Sequence, residues 1–314
     1  MRLQNLVSLI GGELKNQPAI TQVTGFSTSL AKLKRGALFF AKDKSQVPQA
    51  IKLGAYAIVY EGWIQIQDEE IAWIKVQNLQ NAVIKLLRFI LIQNQSLLFE
   101  VSAIALEYAK SVIIDSKCTF LNDPFSFFEK YEQQPYIFTT KTEAHSLAID
   151  TVSPPKPKIK IIQKLPFTTT FIWQERFYER LEVSPLFFEE FQEVLGFIEQ
   201  YDLISDFEKV KDFPHFKPHF IDGSFRVVEF GKSDRVIITE PDCALLEKEA
   251  TFLHQIAPWA KRVQLTINCN VKNFAIIDIA KLPALLHHSD FTYALVQDFD
   301  ITLLEKKQEQ KTLL

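Results

Sequence analysis

No glycine occurs between Gly62 and Gly196, a stretch of 133 residues in which average usage of roughly 7% would place about nine. Glycine is the residue that lets a backbone turn left-handed or approach a ligand with no Cβ in the way. A loop that cradles a nucleotide triphosphate depends on that freedom, because consecutive N–H groups must close around the phosphates. The stretch is therefore expected to hold no such loop.

The chain of 314 residues is 47% apolar and carries 27 phenylalanines, enough to fill the cores of two or three domains. Its 35 basic and 38 acidic side chains nearly cancel, so no broad field attracts nucleic acid or anionic lipid, and no nucleic-acid partner is expected. Cys118, Cys243 and Cys269 are odd in number, far apart and without a C-x-x-C pair, which suits a reducing compartment better than a disulfide framework. The opening MRLQNLVSLIGGELK lacks the apolar run of a secretory signal. Lys85 and Arg88 interrupt the most apolar segment, Ala82 to Ile92, so no membrane span and a cytoplasmic location are expected.

Segments 36–41 and 56–61 read as strands around a short helix, and 71–76 as another strand. Leu79, Val83, Leu86, Leu87, Ile90 and Leu91 then fall on one face of a helix. Val101, Ile104, Ala105, Tyr108 and Val112 repeat the helical spacing, followed by polar turns in FLNDPFSFF and YEQQP and a short strand, YIFTT. TVSPPKPK, with three prolines, reads as a linker. Beyond it IKIIQKL, TTTFIWQ and FYERLEV read as an antiparallel meander, and Ser184-Pro185 as a helix start. FRVVEF and RVIITE read as a hairpin about the turn GKSD, and RVQLTI, FAIIDI and TYALVQDF as strands alternating with helices around 246–256 and 280–286. EKKQEQKTLL reads as a solvated end.

Within ITQVTGFSTSLAKLKRGALFFAKDKSQVPQAIKLGAYAIVYEG, the residues Val23, Ser27, Gly36, Leu38, Phe39, Ala41, Ala50, Gly54, Ala55 and Val59 match in order a pattern of the Mur ligase family. The pattern reads V-x-x-D-S-R-x-x-x-x-G-x-L-F-x-A, then A-x-x-x-G-A-x-x-x-V. The chain resembles that family's N-terminal domain, above all in the branch that adds D-alanyl-D-alanine to the peptidoglycan precursor. In the family this domain binds the UDP end of a muramoyl-peptide. The departures are that Phe26 and Thr28 stand where the family has Asp and Arg, and that the loop after the F-x-A strand is shortened to KDKSQVP. The family's G-x-x-G-K-T loop, which holds the ATP phosphates, is replaced by QSLLFEVSAIALEYAK, read as a good helix and a poor phosphate cradle. The segment from TTTFIWQ to YDLI resembles the family's late central domain, and ITEPDCAL stands in place of its D-D-S-Y-N-A-N-P run.

Other motifs yield to plainer readings. Gly231-Lys232-Ser233 lacks the first glycine of a phosphate loop, since Arg226 stands there, and reads as a hairpin turn. Pro214 and Pro218 break the helix that His215 and His219 would need as a metal pair. His287-His288 is an adjacent pair whose rings diverge. Asp298 and Asp300 share a face if QDFDI is a strand, the arrangement that could hold Mg²⁺. Glu240 and Asp242 form a small acidic group or, for Asp242, a helix cap.

These readings give an α/β fold: a Mur-ligase-like N-terminal α/β domain (1–93), a reduced, glycine-free middle unit (94–150), a Pro-rich linker (151–158), a meander and helix (159–230) and a C-terminal α/β region (231–314). The resemblance implies a protein without ATP-dependent ligase activity that binds a UDP-muramoyl-peptide or cell-wall enzymes. The ligand-binding residues it implies are Ser27, Thr28, Phe39, Phe40, Ala41 and Lys42. No catalytic residue, metal ligand or cofactor is assigned. Two alternatives stay open: an active ligase of the D-alanyl-D-alanine-adding type with an unrecognised nucleotide site, and a structural interaction protein.

Overall fold

The computed structural model describes residues 1–304, and the EKKQEQKTLL segment lies outside the described residues. The chain divides into two compact units, one formed by Met1–Pro155 with Gly196–Ser205, the other by Lys156–Leu195 with the chain from Asp206 onward.

The first unit begins with α1 (Leu3–Ile10), β1 (Glu13–Leu14), β2 (Gly25–Ser27), β3 (Ala37–Phe40), α2 (Val47–Lys52), β4 (Ala57–Glu61), β5 (Ala72–Val76) and α3 (Leu79–Gln93). The sheet order is β1-β5-β4-β3-β2, parallel except for β1. Its inner strands are apolar on both faces because both are covered. Leu38, Phe40, Val59 and Ile74 meet Leu6 of α1 and Val83 and Leu86 of α3, while Phe39, Ile58 and Trp73 pack with Val47 and Ala50 of α2.

A second sheet follows: β6 (Leu97–Val101), α4 (Ala103–Val112), β7 (Cys118–Leu121), α5 (Pro124–Lys130), β8 (Tyr136–Thr140), α6 (Lys141–Leu147) and β9 (Thr151–Val152), in the all-parallel order β7-β8-β6-β9. Leu87 and Leu91 of α3 cover one face, against Leu98, Leu121 and Ile137. The other face is closed by rings from the returning segment: Phe99 stacks on Phe197 at 4.4 Å, meets Tyr201 at 4.6 Å, and lies edge-on to Phe138 at 5.1 Å. Residues 97–101 are thus a strand rather than the start of a helix, and FLNDPFSFF holds the end of β7 and the helix α5 rather than polar turns. Asp123 accepts the Ser126 N–H at 2.8 Å and Pro124 occupies the first turn, a start signal present in the sequence.

The second unit carries the expected meander, β10 (Ile159–Lys164), β11 (Thr169–Trp173) and β12 (Arg176–Leu181). Ser184 accepts the Leu186 N–H at 3.2 Å in a short turn of helix leading into α7 (Phe188–Tyr201). Then come β13 (Lys217–Phe220), β14 (Val236–Glu240), α8 (Leu246–Ile256), β15 (Arg262–Thr266), β16 (Ala275–Ile276), α9 (Leu282–His288) and β17 (Tyr293–Gln297), with the sheet order β13-β14-β17-β15-β16. The antiparallel partner of β14 is β13, not FRVVEF. Asp222 explains the difference. Its carboxylate accepts the amides of Ser224 and Arg226 at 2.8 and 3.0 Å and both guanidinium arms of Arg226 at 2.9 and 2.7 Å, and Phe225 turns left-handed at φ 60°. That closed turn outcompetes β pairing.

Turns in the glycine-free stretch use side-chain-bearing residues at positive φ, among them Gln95, Gln133, Ala148, Gln174 and Glu175. Gln174 and Glu175 form the two-residue loop between the paired Trp173 and Arg176, a geometry that favours Asn-Gly. Glu175→Gly is expected to raise unfolding stability by about 0.5–1 kcal/mol in urea denaturation, since left-handed backbone is disfavoured for L-residues. Gly196 is the opposite case. A Cβ there would meet the Pro155 carbonyl oxygen at 2.0 Å, while a Cβ at Gly223 meets nothing within 4 Å. Gly196→Ala is expected to cost about 3 kcal/mol by overpacking and Gly223→Ala close to nothing, read by the same denaturation.

Candidate functional site

Three places carry the chemistry read from sequence. The first is the junction of β6 and α4. In a parallel sheet ligands gather outside the carboxyl ends of the strands, where connections leave in opposite directions, and β6 lies at the centre of its sheet between β8 and β9. A single residue, Ser102, joins strand to helix here. Its hydroxyl accepts the Ala105 N–H at 3.1 Å and its carbonyl accepts the Leu106 N–H at 2.9 Å. The helix start is capped from within. Alongside, Val101 pairs with Thr140, and Glu100 accepts the Thr151 hydroxyl at 2.8 Å.

The second place holds the six residues assigned by resemblance. Ser27 ends β2, and Phe39 and Phe40 end β3, leading into Ala41 and Lys42, so the parallel register brings them together at one sheet end. Their functional groups are directed elsewhere. Phe39 and Phe40 are fully buried, Ala41 is buried, and the Ser27 hydroxyl donates to the Ser29 carbonyl at 2.7 Å. The Thr28 hydroxyl bonds α5, at 3.1 Å to the Phe125 carbonyl and 2.5 Å to Glu129 Oε1. Lys32 donates to the Glu129 carbonyl at 2.6 Å, and the Lys42 ammonium lies 5.3 Å from the centre of the Phe125 ring. Phe128 adds edge contacts to Phe26 and Phe40. Helix α5 therefore rests on this strand end.

The third place lies at the carboxyl end of β14. Glu240 is fully buried; one oxygen meets His215 Nδ1 at 2.7 Å and accepts the Asp242 N–H at 2.7 Å, and the other accepts the Phe216 N–H at 2.9 Å. Burial works to raise its pKa, but the hydrogen bonds from His215, Glu249 and the Asp242 amide outweigh it and the net direction is downward. Glu249, on the packed face of α8, is equally buried, and neither of its oxygens has a hydrogen bond of ordinary geometry among the described residues. Burial first, then the Glu240 carboxylate, push its pKa well above the usual range. The two buried carboxyl groups therefore shift in opposite directions, Glu240 down and Glu249 up. Asp242 caps the turn at Ala244 at 2.9 Å rather than α8 itself.

Sequence reading singled out Glu240 but missed its partners. Glu249 was legible in principle, since it falls between Leu246 and Leu253 on the apolar face of α8. His215 was not, because its approach to Glu240 depends on the pairing of β13 with β14. His219 lies within that pair, 3.1 Å from the Thr239 hydroxyl, and burial lowers its pKa to about 4. His287 packs on the Phe225 ring. The strand on which Asp298 and Asp300 would share a face does not extend to them, because β17 stops at Gln297 and Asp298 turns left-handed at φ 46°. Among the described residues no group of three or more His, Cys, Asp or Glu is placed to hold a metal. Cys243 and Cys269 form a disulfide between the loops after β14 and β15, which corrects the expectation of three unpaired thiols; both strands flank β17, so loops distant in sequence emerge side by side. Cys118 is free, its thiol pushed up to about 12 by burial. No helix among the described residues is long and apolar enough to cross a membrane.

No protein-family model matches the chain, and no curated protein does. Solved structures do. MurF ligase from Thermotoga maritima in complex with ADP superposes with a TM-score of 0.57 at 11% identity, over 94% of this chain and 100% of that one. MurF from Acinetobacter baumannii gives 0.55 at 12% identity over 98% of each chain. The fold is that of a Mur ligase. This mixed α/β architecture spans nearly the whole chain, and on the Mur-ligase fold the Ser102 junction, the strand end under α5 and the Glu240 cluster are three separate features.

The raised pKa of Glu249 has a measurable consequence. A carboxyl whose folded pKa is raised contributes stability that is complete below its unfolded value, near 4.5, and is lost as pH rises through the folded value. Glu249→Gln is expected to match the parent at pH 4 and to exceed it increasingly through pH 7 to 8, measured by urea denaturation at each pH. A difference that does not change with pH would contradict the raised pKa.

Proposed function

We propose that this chain serves peptidoglycan-precursor metabolism by binding rather than by ATP-driven amide formation. The observation that carries the reading is the β6–α4 junction. A phosphate cradle needs a run of bare backbone amides between strand and helix, and here one serine spans the gap and spends its own hydroxyl as the cap. The glycine-free sequence on either side supplies no residue to rebuild that loop. The solved neighbour from Thermotoga maritima holds ADP; the reading separates this chain from that activity while keeping its fold.

The family resemblance suggests two classes of ligand: a UDP-linked muramoyl-peptide at Ser27, Thr28 and residues 39–42, or the enzymes that handle it in the cytoplasm. The contacts of α5 favour the second. The Thr28 hydroxyl that would meet a nucleotide is engaged with Phe125 and Glu129, so a ligand there would have to displace a helix whose Phe128 is packed against Phe26 and Phe40.

Incubating the full chain with ATP, a UDP-muramoyl-tripeptide and D-alanyl-D-alanine is expected to release no ADP above the protein-free control, and titration with ADP to give no heat at millimolar ligand. ATP turnover that depends on the muramoyl substrate would overturn the reading in favour of an active ligase. Heat on titration with the muramoyl-peptide alone would leave the loss of ligation standing and move the ligand from protein partners to the precursor.

A further inference from the structure

The second unit holds a cavity of about 570 Å³ at the end of its sheet opposite Glu240. It opens beside Val236 and Tyr293, the first residues of β14 and β17, against the turn between β10 and β11. Five aromatic rings form its walls: Phe167, Phe220, Phe230, Trp259 and Tyr293. Four of them are in ring contact. Phe167 lies edge-on to Phe220 at 6.1 Å and to Tyr293 at 5.8 Å, and Phe220 meets Phe230 at 4.7 Å. Phe167, Phe220 and Tyr293 are anchored in the interior at 8% exposure each, whereas Trp259 and Phe230 stand open at 74% and 41%. A ring as large as Trp259 left in water beside an aromatic floor marks a surface suited to a ligand.

The charge lining this cavity is of one sign. Asp234 contributes a carboxylate, and no Lys, Arg or His lines the walls. No side chain among the described residues forms an ion pair with Asp234. Its charge reaches the cavity, because burial first and then Asp234 raise the pKa of the Tyr293 hydroxyl. The neighbouring Ser233 hydroxyl is spent on the Ile221 carbonyl at 2.5 Å.

We propose that this cavity binds a small organic cation, an alkylated ammonium or a guanidinium, held against the aromatic faces with Asp234 as its counter-ion. Ring faces are the negative poles of the aromatic quadrupole and attract such a cation, and more strongly as it is desolvated. An anion would meet Asp234 with like charge, and a neutral apolar molecule would gain nothing from it. The site is independent of the role proposed for the chain above, since it uses none of the residues at the β6–α4 junction or under α5.

Benzyltrimethylammonium titrated into the full chain, followed by tryptophan fluorescence and by calorimetry, is expected to bind saturably. Asp234→Asn and Trp259→Ala should each weaken it about tenfold, and the neutral benzyl alcohol should bind about tenfold more weakly than the cation. Both substituted side chains are exposed, so the variants are expected to fold, which circular dichroism checks. Absence of saturable binding at millimolar ligand, equal affinity for benzyl alcohol, or an unchanged affinity in folded Asp234→Asn would each overturn the proposal.

Discussion

A parallel sheet has to be dry on both faces, and in the first unit that requirement is met only because the chain comes back. The sheet around β6 is covered on one side by helices close to it in sequence, α3, α5 and α6, but on the other by Phe197 and Tyr201, which arrive after the meander of the second unit. Their seating against Phe99 brings Gly196 so close to the Pro155 carbonyl that a Cβ could not enter. The first glycine after the long gap thus stands where packing forbids a side chain.

In the same sheet β6 and β8 pair in parallel, and strand, cap and helix follow one another directly through Leu97–Val112. At the junction itself a serine hydroxyl caps the helix, with side-chain-bearing residues on either side. Burial keeps the architecture, because Leu98, Phe99 and Val101 are in the core whatever the loop does. The proposed shift from ligation to binding rests on that separation between what holds the sheet and what would hold a phosphate.

Legibility followed the range of the interactions. Strands such as Ala37–Phe40 and Ala57–Glu61 and the helix Leu79–Gln93 were readable because burial imposes a period within a few residues. FRVVEF failed as a strand because the Asp222 carboxylate, through four hydrogen bonds, made a closed turn that its apolar content did not betray. The residues assigned to ligand binding were adjacent as expected, yet the partner that engages Thr28 lies 97 to 101 positions away, a distance at which periodicity carries no information.

By itself the sequence determined the α/β class, the order of most elements and the lack of glycines from which a phosphate cradle could be made. These are consequences of local backbone freedom and of burial patterns. Tertiary structure alone decided that His215 meets Glu240, that Glu249 is buried within reach of its charge, that Cys243 joins Cys269, and that five rings and Asp234 converge at the far end of the same sheet. Each of those depends on which strands pair and which helix lies over them, and the free energy that selects such pairings is shared among many distant side chains.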